Sequence, residues 1–322
     1  MNKQEIKKCK HTKENKLFGF GAFVTLLILS ILFTGSFFRT EIFDEVKDQI
    51  ITDYKTEHNL VESISDEEIL KKVDQEDQEF LGYFDYYYWF VIVLLPLAFF
   101  LMLLFMIGKM YGKVRANSVR LNKHQYPEVH KIFKEMSKEL GFEETPELYL
   151  VNGNGALNAY ATCVPGFRNF SAIYSDVLER CLKNNDMETL RFILGHELGH
   201  LKFNHIKWWY SFLTLWMNLP GIQYLFGLPL SRSRELGCDK IGQKLSKNMD
   251  GRPLMILSAG KYAYQDIDME KYTKEHFEKK DFWAWISNFF SDHGNISWRI
   301  AAVRKKHQAG LFFKNKKDNT KK

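Results

Sequence analysis

His196-Glu197-Leu198-Gly199-His200 sits in a run whose apolar residues Leu190, Ile193, Leu194, Leu198 and Leu201 recur at helical spacing. Asn185 and Glu188 make a capping-box pair that predicts where this helix starts. Two histidines four residues apart lie on one helical face, about 5 to 6 Å apart at Cβ. Both imidazoles can then reach one zinc ion, and Glu197, about 100° round the helix, can reach a water held by that ion. Such a string occurs by chance often enough that the chain must also supply a third ligand.

Three candidates lie downstream. A glycine three and a histidine six residues beyond His200 would mark the metzincin class, but Phe203 and Ile206 stand there, which excludes it. His205 falls off the ligand face by helical phase and is given a supporting or surface role. Glu235 is the strongest candidate, because it shares a face with Asp239 at i and i+4 on a predicted helix that also carries Arg232 and Arg234. One carboxylate can ligate zinc while the other holds a ligand histidine by its second ring nitrogen.

The charge-free stretch 208–231 separates the two halves of this site. A single membrane crossing there would put Glu235 on the far side from the histidines. Pro220-Gly221 in its middle predicts a hairpin instead, either dipping into a membrane or buried within the protein. Arg191, Lys202 and Lys207 flank the histidine pair too closely for its helix to lie in hydrocarbon.

Further out, residues 17–38 and 86–108 are charge-free and long enough to be transmembrane helices. Arg39-Thr40-Glu41 after the first offers no small-residue cleavage site, so it reads as an uncleaved span. Tyr86, Tyr87, Tyr88 and Trp89 open the second as an interface belt, and Pro96 predicts a kink. The basic flanks 1–16 and 109–123 are predicted cytoplasmic, which places the acidic segment 39–85 outside. Phe43, Val46, Ile50 and Tyr54, followed by a Ser65/Glu68 capping box, make that segment helical, a solvated element without chemistry.

The remaining composition narrows the class. With 322 residues, a net charge of +6 and a mean hydropathy of −0.30, the chain is no disulfide-stapled mini-protein. Cys9, Cys163, Cys181 and Cys238 show no framework spacing and read as free thiols in a reducing compartment. The basic excess lies beside the apolar blocks and in the tail 304–322, where anionic lipid is the partner and nucleic acid is not. Between the second apolar run and the histidine pair, Pro127 opens a helix faced by Val129, Ile132, Phe133, Met136 and Leu140 and closed by Gly141. Short strands at 147–151, 157–164 and 171–174 follow, parted by Asn152-Gly153-Asn154-Gly155 and Pro165-Gly166.

Four features in order carry a resemblance. They are Asn158-Ala159-Tyr160-Ala161, the string from His196 to His200 with His205 beyond it, the run from Ser231 to Asp239 built as Ser-Arg-x-x-Glu-x-x-x-Asp, and His293 followed six residues later by Arg299. Over roughly residues 125–305 the chain resembles the membrane-bound zinc metalloendopeptidases that include HtpX heat-shock proteases and type I CAAX prenyl proteases. It departs in having Gly294 where the family has proline, and in a 208–231 stretch too short for two crossings. Three apolar blocks cannot build the seven-helix barrel of a CAAX protease, so the closer resemblance is to HtpX.

The resemblance implies an α+β, mostly helical fold: a zincin-like metallopeptidase domain with a small antiparallel sheet, attached to transmembrane helices. It implies one Zn2+ held by His196, His200 and Glu235, with Glu197 as general base. Asp239 would orient a ligand histidine, Arg299 would pair with Asp239, and His293 would bind the scissile carbonyl oxygen. Asn158 and Ala159 would belong to an edge strand that pairs with extended protein or peptide substrate. The organisation expected is a cytoplasmic basic segment 1–16, spans 17–38 and 86–108 around the outside loop 39–85, a cytoplasmic peptidase domain 109–303 with the hairpin 208–231, and the basic tail 304–322. The partners expected are a peptide substrate and the lipid bilayer. A catalytically silent membrane scaffold, or a zinc or stress sensor, is the alternative reading.

Overall fold

The computed structural model describes residues 1–59, 64–163, 169–278, 281–305 and 311. It forms two compact units, one made of Met1–Phe23 with Ile107–Lys322, the other of Val24–Met106.

The first unit opens with α1 (Lys3–Cys9), capped by Asn2 and Glu5, each side chain accepting from the other's backbone N–H. Ile6 and Cys9 enter the main core, and His11 and Glu14 are buried, so the basic N-terminal segment is packed rather than trailing. Glu14 is the first residue of α2 (Glu14–Phe37).

In the second unit, α3 (Arg39–Glu57) is followed by α4 (Asp66–Leu70) and α5 (Gln75–Trp89). The Ser65 hydroxyl accepts from the Glu68 N–H at the start of α4, as the sequence predicts. Ile51, Ile69 and Val73 close a small apolar core, and Lys55 pairs with Asp66 at 2.8 Å. The acidic segment is thus helical within its described residues. A π-helical turn (Phe90–Leu94) joins α5 to α6 (Leu95–Asn117). Pro96 explains it, since the ring lacks an N–H and collides with the carbonyl four residues back, and the wider turn relieves both. Glu14–Gly35 and Leu95–Asn117 are long and apolar enough to cross a membrane, and only 6% of each apolar window is buried, unlike the core helix of a soluble domain.

The first unit continues after α6 with β1 (Val119–Leu121), α7 (Pro127–Glu139), β2 (Glu147–Val151), β3 (Ala159–Thr162) and β4 (Phe170–Tyr174). The sheet order is β1-β2-β4-β3. It is mixed rather than wholly antiparallel, because β2 and β4 run parallel. β2 and β3 form the arms of a wide hairpin, and β4 returns into the gap between them, so it must run with β2 and against β3. The Pro165-Gly166 turn lies outside the described residues.

Next come α8 (Ser175–Lys183), α9 (Met187–Lys202), α10 (Trp208–Leu213), α11 (Ile222–Leu225), α12 (Gly227–Ser246), α13 (Arg252–Ala263), α14 (Met269–Thr273), α15 (Phe282–Phe290) and α16 (Ile296–Lys305). The main core joins Phe133 and Met136 of α7, Leu178 of α8, Leu194 and Leu198 of α9 and Ile241 of α12. Between α9 and α12 the charge-free stretch folds back at Pro220-Gly221, with Gly221 at φ 81°, and its longest helix, α10, has 6 residues. One side of this hairpin buries Tyr210, Met217 and Leu230 against Leu17 and Phe18, while Leu215, Leu219 and Leu225 stay exposed. All four cysteines are free and buried. Beyond Lys305, apart from Leu311, the basic tail lies outside the described residues.

Candidate active site

α9 begins one residue later than the capping-box spacing suggests. Asn185 adopts φ 51° and closes α8, a left-handed position that asparagine tolerates. Asp186 is the cap instead, its carboxylate accepting from the Thr189 N–H at 3.0 Å. The Glu188 side chain accepts from Asn248 Nδ2 rather than completing a box.

α9 then lies backbone to backbone on α12, which glycines alone permit. A Cβ on Gly199 would stand 3.1 Å from Cys238 Cα, one on Gly195 3.0 Å from Gly242 Cα, and one on Gly242 2.6 Å from the Phe192 carbonyl oxygen. This close crossing sets Glu235 and Asp239 opposite His196 and His200. Glu235 Oε2 lies 3.4 Å from His196 Nε2, and its Oε1 lies 3.3 Å from His200 Nε2. The two Nε2 atoms are 3.1 Å apart. Ligand atoms of all three residues fall within 4.8 Å of one another.

Each member of the trio is held from behind. His196 Nδ1 bonds Asp239 Oδ1 at 2.9 Å. Arg299, delivered by α16, donates twice to Asp239 and also lies 3.2 Å from Glu235 Oε2. Behind His200, His205 presents Nδ1 to His200 Nδ1 at 3.1 Å, and its Nε2 meets Glu14 Oε1 at 2.9 Å. α9 ends at Lys202, and the turn that follows, with Asn204 at φ 62°, buries His205 beside His200.

Electrostatics favours a cation at the centre of the trio. Burial opposes charge on His196, yet its bonds to Asp239 and Glu235 and their negative charge push the ring up to about 10. Against a like burial penalty, Arg299 and the two histidines hold Glu235 well below the usual carboxylate range. Two imidazole nitrogens beside a carboxylate held in its charged form are a donor set suited to a divalent metal. Glu197 differs: burial pushes its carboxyl up, toward the range of a general base. Burial lowers the His205 ring to about 4, so it stays neutral.

The trio and Glu197 line a cavity of about 390 Å³, with Val177, Phe192, Ile193, Leu254 and Leu257 as apolar wall and β3 along one side. β3 is an outer strand of the sheet. The Tyr174 N–H donates to the Asn158 carbonyl, so residues 158, 160 and 162 face β4 and residues 159 and 161 turn their backbone groups outward. The Asn158 side chain accepts from the Ala159 N–H at 2.9 Å. His293 also borders the cavity, with an exposed side chain whose Nδ1 bonds Asp292 Oδ1 at 2.7 Å. The structure thus gathers His196, Glu197, His200, Glu235, Asp239 and Arg299 into one cluster and puts Asn158, Ala159 and His293 along the cavity lining. Glu14 escaped the sequence reading, although an acid three residues before an apolar run, in a basic flank, was its signal.

A helix-borne histidine pair, a carboxylate from a crossing helix and a small mixed sheet beside them define a zincin-like metallopeptidase. The profile described as Peptidase family M48 matches residues 123–307, and the chain belongs to that family. It is similar to the plastoglobule-localized metallopeptidase 48 of the Arabidopsis thaliana chloroplast, 30% identical over 133 residues, 38% of this chain and 37% of the relative. It is also similar to a protease HtpX homolog of Helicobacter pylori, 24% identical over 215 residues, 56% of this chain and 66% of the relative. The aligned parts therefore cover less than two thirds of either relative. No solved structure matches the chain.

Proposed function

We propose that the protein is a membrane-anchored, zinc-dependent endopeptidase that cuts extended segments of membrane or misfolded proteins, with Glu197 as general base. The observation that carries this reading is the convergence of His196, His200 and Glu235 within 4.8 Å, in a cavity that also holds Glu197 and the outer strand β3.

His196 and His200, through Nε2, and one oxygen of Glu235 would hold a single zinc ion. When bound, zinc supplies Lewis acidity, both toward a water and toward the scissile carbonyl. Glu197, with its raised carboxyl, takes the proton from the attacking water and returns it to the leaving amine. Asp239 fixes the tautomer of His196 by accepting from its Nδ1–H, and Arg299 keeps Asp239 ionised in place. β3 offers the outward Ala159 carbonyl and the Ala161 N–H and carbonyl to pair with an extended substrate. The apolar wall selects an apolar side chain beside the cut. His293, steered by Asp292, donates to the scissile oxygen as charge develops there.

The two apolar helices anchor the enzyme, and the hairpin 208–231 rests on the bilayer through its exposed Leu215, Leu219 and Leu225. Basic flanks at 1–16 and 109–123 orient the peptidase domain 109–303 to the cytoplasm, with the acidic loop 39–85 outside.

The deciding experiment compares purified wild type with Glu197→Gln on casein, measuring zinc content in both. The expected result is one zinc per chain in each and cleavage by wild type alone. Zinc in both without cleavage by either on casein or in a membrane-proteome comparison would favour a silent scaffold.

A further inference from the structure

Glu14 is 191 residues from His205 in sequence, fully buried, and the first residue of the helix that continues into the first apolar span. Its neighbours form a chain with one role per atom. If His200 gives Nε2 to the metal, its Nδ1 carries the hydrogen and donates to His205 Nδ1 at 3.1 Å. With its Nδ1 accepting, His205 carries its hydrogen on Nε2, which donates to Glu14 Oε1 at 2.9 Å. Lys10, one turn earlier, balances the carboxylate at 3.0 Å. The arrangement repeats, one residue longer, what Asp239 does for His196.

Resting on the zinc reading above, we propose that Glu14 is a positioning residue of the active site: acting through His205, it orients His200 as a metal ligand and ties the start of the first apolar helix to the metal. A buried acid needs a compensating partner, and here that partner, His205, leads on to His200. Burial of Ile6, Cys9 and His11 holds Glu14 in place from the α1 side. Cys238 Sγ lies 3.7 Å from His205 Nδ1, so His200, His205 and Cys238 could instead form a separate metal cluster. The relay requires one metal per chain and indifference to Cys238→Ser.

The test uses the full chain in detergent. Zinc affinity is measured by chelator competition for wild type, Glu14→Gln, His205→Gln and the double variant, and the cobalt-substituted proteins are compared by absorption. Each single variant is expected to lose about 10- to 100-fold in affinity, with altered cobalt bands, as for other groups that orient a metal's histidine. The double variant is expected to lose no more than the worse single one, since both break the same relay. Wild-type affinity and spectrum in Glu14→Gln, additive losses, or a second zinc removed by Cys238→Ser would overturn the relay. If Glu14→Gln lowers the melting temperature of the metal-free protein, the cobalt spectrum of the folded protein at low temperature decides alone. Failure of wild type itself to bind zinc would overturn the proposed function instead.

Discussion

Arg299 grips Asp239 with two hydrogen bonds, Nε to Oδ2 at 2.8 Å and Nη2 to Oδ1 at 2.7 Å, while its Nη1 lies 3.2 Å from Glu235. One guanidinium therefore balances two buried carboxylates from successive turns of α12. Arg299→Gln leaves both acids facing each other in a buried site, a loss of about 3–5 kcal/mol. A fall in melting temperature of about 10 °C or more is expected for the metal-free protein. A change of only a degree or two would show that the acids do not depend on it.

The glycine seam between α9 and α12 predicts contrasting alanine effects on one helix. Gly242→Ala drives a methyl group toward the Phe192 carbonyl, 2.6 Å away, and overpacking of that kind costs about 1–3 kcal/mol. Gly237→Ala meets nothing nearer than 3.6 Å and gains helix propensity, so stability should hold or rise by about 0.5–1 kcal/mol. Thermal melting of the two variants side by side tests the seam.

At the outer strand, Ala161→Pro removes an outward-facing N–H without breaking a bond to β4, since the bonded positions are 160 and 162. Zinc content and folding should stay as in wild type while kcat/KM on an unfolded substrate falls at least about tenfold. Unchanged cleavage would mean that substrate does not add to β3.

Asp186 links the start of α9 to pH. Burial works against its charge, but bonds from Tyr264, Thr189 and Gln265 hold the carboxyl below its ordinary value of 3.8. A lowered carboxyl stabilises above the unfolded value, and the gain is lost as pH falls through the folded one. Asp186→Asn should therefore melt below wild type at pH 7, by about 1 kcal/mol or more, and the gap should close below pH 3.8. A gap that persists in acid would assign the effect to shape rather than charge.

The legible parts of the fold are those whose cause is local. Pro127 and Gly141 bound α7, and the histidine pair with its apolar partners marks α9. Glu235 and Asp239 could be ranked because four-residue spacing fixes a shared face. The parallel pairing of β2 with β4 was hidden, because it depends on where a later strand inserts, and the hairpin pattern gives only direction. β1 has three residues directly after a long helix and carries no period of its own. At the start of α9, Asn185 and Asp186 are both able to cap, and the left-handed close of α8 decides between them. Helical phase spoke only to residues on α9, which ends before His205, and it could not reveal Glu14, because that contact exists only once α1 and the start of α2 pack against the domain.

That packing bears on how such an enzyme could be regulated by cutting. Many membrane-tethered enzymes stay active once clipped from their anchor, since the tether only addresses them to a surface. Here a cut between residues 23 and 107 that let the first strand of chain depart would carry off Ile6, Cys9 and Glu14, and with them part of the floor beneath His200. On the proposed function, shedding would then silence the site, confining any cleavage to the membrane by construction rather than by address.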